Sequence, residues 1–372
     1  MRLVVSVDRS AVLRALAAAA ASGPWCVERA AASRAERVLR QMRPSAVVLP
    51  LERCGGAFCT QYAVDGQRFR AVVDTGSPFL LVNGDCVSSR WGCFDTGAGS
   101  LSLGDSSEEG YGGQDVGVEW RRGEVSFGAM SFSAPINFGV VRSSVGKGGT
   151  QAIYLGLAKD RSPRVRPTLL EQTDIVSLYF DFPRQRLTLA RRPLVGNDAN
   201  AIPLIDLRPL GAPVAPYAFQ VHRMIVNGRT VQLGRPAVAV LDTGTTGLVI
   251  SESLYDSDEL ALPGAAVREV TVEAISPRGR LTSFRAERSR GQSSNEFPLI
   301  VTPVSLPWFD TARGSARRAV ATAPTRGRVG ALGSAPHVLF LGLAFLSEMQ
   351  LTIDTDTSRM LAVRATPTAP VR

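Results

Sequence analysis

From residue 57 onward the chain alternates between short apolar runs and turn-forming residues. Each run is bounded by Gly, Pro, Asn or Asp and is rich in β-branched and aromatic side chains. Runs of this length and composition predict strands rather than helices. The clearest of them are FCTQYAV, FRAVVDTG, FLLVN, EVSFGAMSF, INFGVV and IYLGLA. We therefore predict an all-β fold of many short strands.

Two hairpins and two short helices complete the predicted elements. Residues 176–190 contain two strand patterns around a proline-bearing turn. Residues 219–233 contain Asn227-Gly228, a pair that favours a two-residue hairpin turn. One helix is predicted to begin after Ser251, which is a suitable N-cap, and another lies within residues 167–173.

The first 52 residues differ in composition from the rest and are predicted to form an N-terminal extension. Residues 1–50 hold eight Arg against three acidic residues, and Arg14 interrupts their Ala-rich run. A secretory signal would need an uninterrupted apolar segment, so an organellar transit peptide, for a plastid or mitochondrion, fits somewhat better. A basic prosegment is the remaining alternative, and the residues do not decide among these.

The rest of the chain is long enough for two lobes. We assign residues 53–195 to an N-terminal lobe and residues 196–372 to a C-terminal lobe. Within the second, residues 311–336 are rich in Ala, Arg, Gly, Pro and Ser and predict a surface loop.

Charge and composition exclude several classes of function. The net charge is +9, yet all but two of the 42 basic residues are Arg scattered along the chain, without an aromatic-interleaved basic strip, so no nucleic-acid partner is predicted. His222 and His337 are the only histidines, so we expect neither a metal site nor a cofactor. The apolar run at 338–346 is too short to cross a membrane, and no integral membrane span is predicted.

All five cysteines lie before residue 94. Cys54 and Cys59 are close in sequence, as are Cys86 and Cys93. Two short-loop disulfides are compatible with these spacings in an oxidising compartment. Reduced thiols are the alternative, and the sequence favours neither.

A repeated segment carries the candidate chemistry. Residues 71–82 and 239–250 each place an Asp-Thr-Gly turn after an apolar strand end and before a second apolar strand. The acidic residues, Asp74 and Asp242, are separated by a domain-sized stretch, which predicts an internal duplication that brings them face to face. Two carboxyl groups that share a proton can activate water and protonate a peptide carbonyl without a metal.

The residues after each Asp suit a supporting role. Glycine permits close approach of the backbone, the first threonine can hydrogen-bond across the interface, and the next hydroxyl can donate to the carboxylate. The predicted supporting residues are Thr75, Gly76, Ser77, Thr243, Gly244 and Thr245.

A third copy of the tripeptide, Asp95-Thr96-Gly97, has no apolar strand on either side. We interpret it as a surface turn without a catalytic role.

These motifs resemble the pepsin-like family of aspartic proteases, and the likeness extends over about residues 60–365. The resemblance implies two similar β-rich lobes in a pseudo-two-fold arrangement, a central substrate cleft, and Asp74 and Asp242 as the catalytic pair. It also implies that an apolar-apolar-Gly motif passes behind each catalytic loop. Tyr154-Leu155-Gly156 and Phe340-Leu341-Gly342 match that motif.

The family covers its cleft with a hairpin flap that begins with Tyr-Gly, and Tyr111-Gly112-Gly113 matches it. Cys86 and Cys93 resemble the small disulfide loop that follows the first catalytic motif in many members. Leu81 stands where many members carry a Trp that supports the flap Tyr, so we expect Trp120 to bond the Tyr111 hydroxyl instead.

Two further departures are Pro78, in place of a small hydroxyl residue, and Leu343, where an Asp is common. They bear on flap geometry and specificity more than on the aspartate pair.

Two hypotheses about function follow. The first is an aspartic endopeptidase that acts as a monomer on polypeptides and cleaves between bulky apolar side chains. The alternative is a catalytically silent protein of the same fold that binds a peptide or inhibits another enzyme.

Overall fold

Short strands make up most of the secondary structure. The computed structural model describes residues 44–84, 86, 89–97, 99–111, 114–145, 152–163, 165–257, 260, 267–288, 297–306 and 336–365. Helices within these ranges are confined to α1 (Glu252–Tyr255), α2 (Leu343–Leu346) and 3-10 turns at Ser89–Trp91, Leu170–Gln172 and Arg208–Leu210. The predicted all-β class is confirmed. In this part of the chain no helix is both long and apolar enough for a membrane crossing.

The strands that the structure describes are, in chain order, β1 (Ala46–Pro50), β2 (Glu52–Arg53), β3 (Phe58–Val64), β4 (Gln67–Asp74), β5 (Leu81–Asn83), β6 (Leu101–Tyr111), β7 (Gln114–Gly123), β8 (Val125–Phe127), β9 (Met130–Ser131), β10 (Ile136–Val145), β11 (Tyr154–Gly156), β12 (Ser177–Asp181), β13 (Arg186–Ala190), β14 (Ile202–Pro203), β15 (Ala218–Gln220), β16 (Arg223–Val226), β17 (Arg229–Thr230), β18 (Ala237–Leu241), β19 (Leu248–Ser251), β20 (Glu269–Ile275), β21 (Leu281–Glu287), β22 (Val301–Val304), β23 (His337–Leu341), β24 (Met349–Asp354) and β25 (Arg359–Arg364).

A six-stranded antiparallel sheet combines strands from distant parts of the chain. Its order is β1-β13-β12-β24-β25-β14, so the two predicted lobe segments, 53–195 and 196–372, both contribute strands to it. Contacts group Ala46–Arg372 into one compact unit. The aliphatic side chains of β12 and β24 are buried, which places the sheet at the core.

The N-terminal extension is shorter than predicted. β1 pairs in register with β13, from Ala46 opposite Ala190 to Pro50 opposite Arg186. Leu49 is buried because it faces the core, although the sequence pattern around it is too short to be recognised as a strand. Residues 1–43 lie outside the described part of the chain, and the transit-peptide and prosegment hypotheses remain predictions.

Each half of the chain also forms sheets of its own. In the first half the orders are β5-β10-β7-β6 and β11-β4-β3-β8-β9, and in the second half β15-β18-β23-β19-β22 and β17-β16-β20-β21. The two candidate aspartates are carried by β4 and by the residue after β18. Each half therefore presents one of them from the end of an inner strand.

Both predicted hairpins are present. β12 and β13 pair around a turn, and β16 and β17 pair across Asn227 and Gly228, whose φ angles are 50° and 79°. Asparagine and glycine tolerate this left-handed conformation better than other residues do, which is why the pair identifies the turn. The loop predicted at 311–336 lies outside the described residues except for Pro336.

Candidate active site

Asp74 ends the buried strand β4 and lies beside β11. The two strands are parallel, with Gly156 opposite Asp74. Leu157 N donates to the Asp74 carbonyl oxygen at 2.8 Å, and Gly156 N donates to Phe79 O at 2.8 Å. The Tyr154-Leu155-Gly156 motif therefore passes directly beside the loop that follows Asp74.

Asp242 has the same setting in the second half of the chain. It follows β18, which runs parallel to β23 with Leu241 opposite Leu341. Asp242 N donates to Leu341 O at 3.1 Å, and Gly342 N donates to Gly247 O at 2.9 Å. The Phe340-Leu341-Gly342 motif thus supports the second loop as Tyr154-Leu155-Gly156 supports the first.

Each carboxyl group accepts two hydrogen bonds within its own loop. Gly76 N donates to Asp74 Oδ1 at 2.8 Å, and the Ser77 hydroxyl donates to Oδ2. In the second loop Gly244 N donates to Asp242 Oδ1 at 3.0 Å, and Thr245 Oγ1 donates to Oδ2 at 2.7 Å. These contacts fix the orientation of both carboxyl groups.

The two loops are joined by a reciprocal set of threonine hydrogen bonds. Thr75 Oγ1 donates to Leu241 O at 2.7 Å and accepts from Thr243 N at 3.0 Å. Thr243 Oγ1 donates to Val73 O at 2.7 Å and accepts from Thr75 N at 3.1 Å. Both threonines are buried. The four bonds hold the loops at a fixed separation.

Glycines bring each carboxyl group against the opposite loop. A Cβ atom added to Gly76 would lie 2.9 Å from Asp242 Oδ1. One added to Gly244 would lie 2.5 Å from Asp74 Cγ. Real Cβ contacts are not this short, so only glycine fits at either position. The structure therefore brings together all eight residues that the sequence assigned to the pair and its support.

Burial raises the pKa of the Asp74 carboxyl well above its usual value of 3.8. The negative charge of Asp242 and a hydrogen bond between the two carboxyl groups raise this pKa further, whereas Ser77 and Gly76 lower it. Two close carboxyl groups cannot both ionise cheaply, so the pair tends to hold one proton.

Tyr154 is a site residue to which the sequence gave no role beyond its motif. Its register opposite Val72 places it on the same face of the sheet as Asp74. Burial raises the pKa of its hydroxyl, and the charges of Asp74 and Asp242 raise it further. Only the strand register reveals this proximity, because nothing in the local sequence distinguishes Tyr154 from a core tyrosine.

The third Asp-Thr-Gly copy behaves as a surface turn, as predicted. Gly97 N donates to Asp95 Oδ1 at 2.8 Å, so the tripeptide makes the same local bond as in the two buried loops. Asp95, Thr96 and Gly97 are all exposed. The same local hydrogen bond thus forms at an exposed position as well as in the two paired loops.

The structure describes only part of the predicted flap motif. Tyr111 ends β6 and pairs with Gln114 of β7, while Gly112 and Gly113 lie outside the described residues. The predicted Trp120–Tyr111 bond is corrected, because the indole Nε1 donates to Ser107 Oγ at 2.7 Å. Indole has a single donor, and Ser107 occupies it.

Of the two alternatives that the sequence left open for these cysteines, the structure has the disulfides, Cys54–Cys59 and Cys86–Cys93. The first closes a loop that contacts the second Asp-Thr-Gly loop, since Thr246 Oγ1 donates to Gly56 O at 2.8 Å. Among the described residues, no group of three or more His, Cys, Asp or Glu is placed to hold a metal ion.

A scan of the chain against protein-family models finds no match, and neither does a search of the curated proteins.

Proposed function

We propose that the protein is an aspartic endopeptidase that hydrolyses peptide bonds with water activated between Asp74 and Asp242. One observation carries the proposal: the two Asp-Thr-Gly loops exchange hydrogen bonds through their buried threonines, and the glycine of each loop lies against the carboxyl group of the other. A structural role would not require two carboxyl groups to face each other, because their mutual repulsion is unfavourable.

The two carboxyl groups divide the proton transfers between them. Asp242, as the carboxylate, accepts a proton from the attacking water, whose oxygen bonds to the peptide carbonyl carbon. Asp74 holds the proton of the pair and donates it to the carbonyl oxygen, which gives a neutral tetrahedral intermediate. Asp242 then donates its proton to the amide nitrogen, and Asp74 accepts a proton from a hydroxyl of the intermediate as the carbon–nitrogen bond breaks. The pair is again singly protonated, with the proton on Asp74.

The supporting bonds suit this division. Each aspartate Oδ2 accepts from a hydroxyl, that of Ser77 in one loop and of Thr245 in the other. Each Oδ1 accepts from a glycine N–H. Donors of this kind stabilise negative charge and fix the carboxyl planes. The transfers then occur between groups that need little rearrangement.

The architecture that we propose is bilobal and pepsin-like. Each half of the chain has sheets of its own and presents one aspartate from a strand end. A cleft between such halves would bind an extended polypeptide, with the hairpin of β6 and β7 as its flap. The aliphatic and aromatic character of the chain near the two motifs suits bulky apolar substrate side chains.

The proposal is tested by incubating the purified full-length protein with a peptide library at pH values from about 3 to about 8. Mass spectrometry identifies new termini. We expect cleavage at a restricted set of bonds flanked by apolar residues. The absence of new termini at every pH, with a folded protein, would support the alternative of a silent peptide-binding protein.

A further inference from the structure

Among the described residues, Trp120 is the largest fully buried side chain, and it lies in the hairpin of β6 and β7. It is on β7, opposite Asp105 of β6. Most of β6 is exposed, whereas Trp120 shares the buried face of β7 with Val116 and Val118.

A chain of hydrogen bonds joins the indole to the end of β6. Trp120 Nε1 donates to Ser107 Oγ at 2.7 Å, and Ser107 Oγ donates to Glu109 Oε1 at 2.7 Å. Glu109 is two residues before Tyr111, where the described part of β6 ends. The bonds link the two strands of the hairpin through side chains, in addition to the backbone ladder.

The indole also contacts the segment that follows the first Asp-Thr-Gly loop. Phe79 follows Asp74-Thr75-Gly76-Ser77-Pro78, and its ring centroid lies 4.9 Å from that of Trp120 in an edge-on arrangement. Phe79 is buried, and its carbonyl oxygen accepts from Gly156 N. Movement of the Trp120 ring would therefore displace Phe79 and, through it, the segment that carries Asp74.

Arg166 covers one face of the same ring. Its guanidinium lies 4.7 Å from the Trp120 ring centroid and forms an ion pair with Asp105 of β6. A cation over an indole face is a favourable contact, most of all where water is partly excluded. The indole is thus held by Phe79, by Ser107 and by Arg166.

We propose that Trp120 is a positioning residue, which sets the hairpin of β6 and β7 relative to the Asp74 loop through the Ser107 hydrogen bond and the Phe79 contact. The inference rests on the proposed function, because it treats this hairpin as the cover of the cleft. It assigns to Trp120 a hydrogen-bond partner, Ser107, that the local sequence does not indicate.

The test compares Trp120→Phe and Ser107→Ala with two matched controls in the full-length protein. Trp120→Phe keeps an aromatic ring but removes the donor, and Ser107→Ala removes the acceptor. Trp91→Phe is the first control: Trp91 is equally buried and has the Arg90 guanidinium 4.9 Å above it, yet its Nε1 has no hydrogen-bond partner among the described residues. Ser106→Ala, at an exposed neighbouring position, is the second.

Hydrogen exchange of the hairpin amides, followed by mass spectrometry, gives a readout that needs no substrate. We expect exchange in β6 and β7 to rise about fivefold in both test variants, because each loses the Trp120–Ser107 hydrogen bond; Ser107→Ala also loses the bond from Ser107 to Glu109. The double variant should match Ser107→Ala, since the Trp120–Ser107 bond is already lost in that variant. We also expect kcat to fall about fivefold or more, with a smaller change in KM. Neither control changes exchange in β6 and β7 or kcat.

Test variants that match their controls in hairpin exchange and in kcat would overturn the positioning role and leave the protease proposal intact. If the wild-type protein cleaves no peptide, the protease proposal fails, and hairpin exchange alone then decides whether Trp120 braces the hairpin. Should Trp120→Phe fail to fold, Ser107→Ala still decides, because it leaves every ring in place.

Discussion

Thr75 and Thr243 exchange hydrogen bonds across the interface of the two Asp-Thr-Gly loops, each hydroxyl accepting from the other residue's backbone N–H. Each hydroxyl also donates to the carbonyl oxygen of the residue that precedes the partner aspartate. The backbone segments that carry Asp74 and Asp242 are therefore tied together at four points. This contact makes the two aspartates one site.

Substitution of either threonine by valine should destabilise the protein and lower its activity. Thr75→Val keeps the shape but leaves the Thr243 N–H and the Leu241 carbonyl oxygen without their buried partner, which costs about 1–3 kcal/mol for each such group. Thr75→Ser should recover most of the loss, since it restores the hydroxyl.

Urea unfolding and peptide hydrolysis measure the two effects. Thr96→Val is the control, because Thr96 has the same sequence neighbours but is exposed. A Thr75→Val variant as stable and as active as Thr96→Val would contradict this account of the interface.

Alanine at Gly76 or Gly244 should abolish activity. The new Cβ would enter the space of the opposite carboxyl group, at 2.9 Å from Asp242 Oδ1 or 2.5 Å from Asp74 Cγ. The loops would have to separate, and displacement of catalytic groups by about 1 Å can cost about a hundredfold in rate.

The matched control for these alanine variants is Gly97→Ala in the exposed tripeptide, where the nearest atom to a new Cβ would be Asp95 Oδ1 at 3.3 Å. Initial rates of peptide cleavage measure the effect. Full activity in Gly76→Ala would show that the two carboxyl groups are not in close contact.

Stability should fall as the pH rises from about 4. The folded protein binds the Asp74 proton more tightly than the unfolded chain does, because the pKa is raised above its usual value of 3.8. Stabilisation from this proton is complete below the unfolded pKa and is lost as the pH approaches the raised pKa.

The free energy of unfolding, measured by urea at successive pH values, tests this. One such proton changes it by at most about 1.4 kcal/mol per pH unit. Asp74→Asn should lose most of the downward slope above pH 4, whereas Asp95→Asn should retain it. If the free energy of unfolding has the same pH dependence in the wild type, Asp74→Asn and Asp95→Asn, the proton that stabilises the folded protein is not bound at Asp74.

Local sequence predicted the fold class, both hairpins and the residues of the candidate pair. These features depend on short-range chemistry: a left-handed turn at Asn227 and Gly228, or an acidic residue between an apolar strand and a glycine turn. The helix after Ser251 is also present, although the Ser251 hydroxyl accepts from Val338 N rather than capping the helix.

Long-range pairing could not be predicted in the same way. β1 acquires its partner, β13, from more than a hundred residues away, and its own five residues do not indicate this. The contact of Phe79 with Trp120, and the choice of Ser107 over Tyr111 as the indole acceptor, likewise depend on how distant strands pack. The local pattern of apolar and polar residues does not indicate which distant segments come into contact.

Removal of residues 1–45 should preserve the stability of the unit Ala46–Arg372, whereas removal of residues 1–50 should lower it. The longer deletion strips β1 from the edge of the six-stranded sheet and removes the buried Leu49 side chain. Loss of a buried leucine side chain alone costs about 2–5 kcal/mol.

Thermal unfolding of both shortened proteins checks this expectation. Leu49→Ala in the full chain gives an independent estimate of what the buried Leu49 side chain contributes to stability. Val48→Ala is its control, since Val48 is 56% exposed. Equal melting temperatures for the two deletions would contradict the structural role of β1.

The most direct measurement of the central claim is peptide hydrolysis by Asp74→Asn, Asp242→Asn and Asp95→Asn, each shown to be folded by its thermal unfolding. Each of the first two changes removes one half of the proton-sharing pair, so we predict that both lose all detectable hydrolysis. Asp95→Asn alters the same tripeptide on the surface and should match the wild type. Hydrolysis by folded Asp74→Asn or Asp242→Asn at the wild-type rate would contradict the assignment of this pair as the catalytic site.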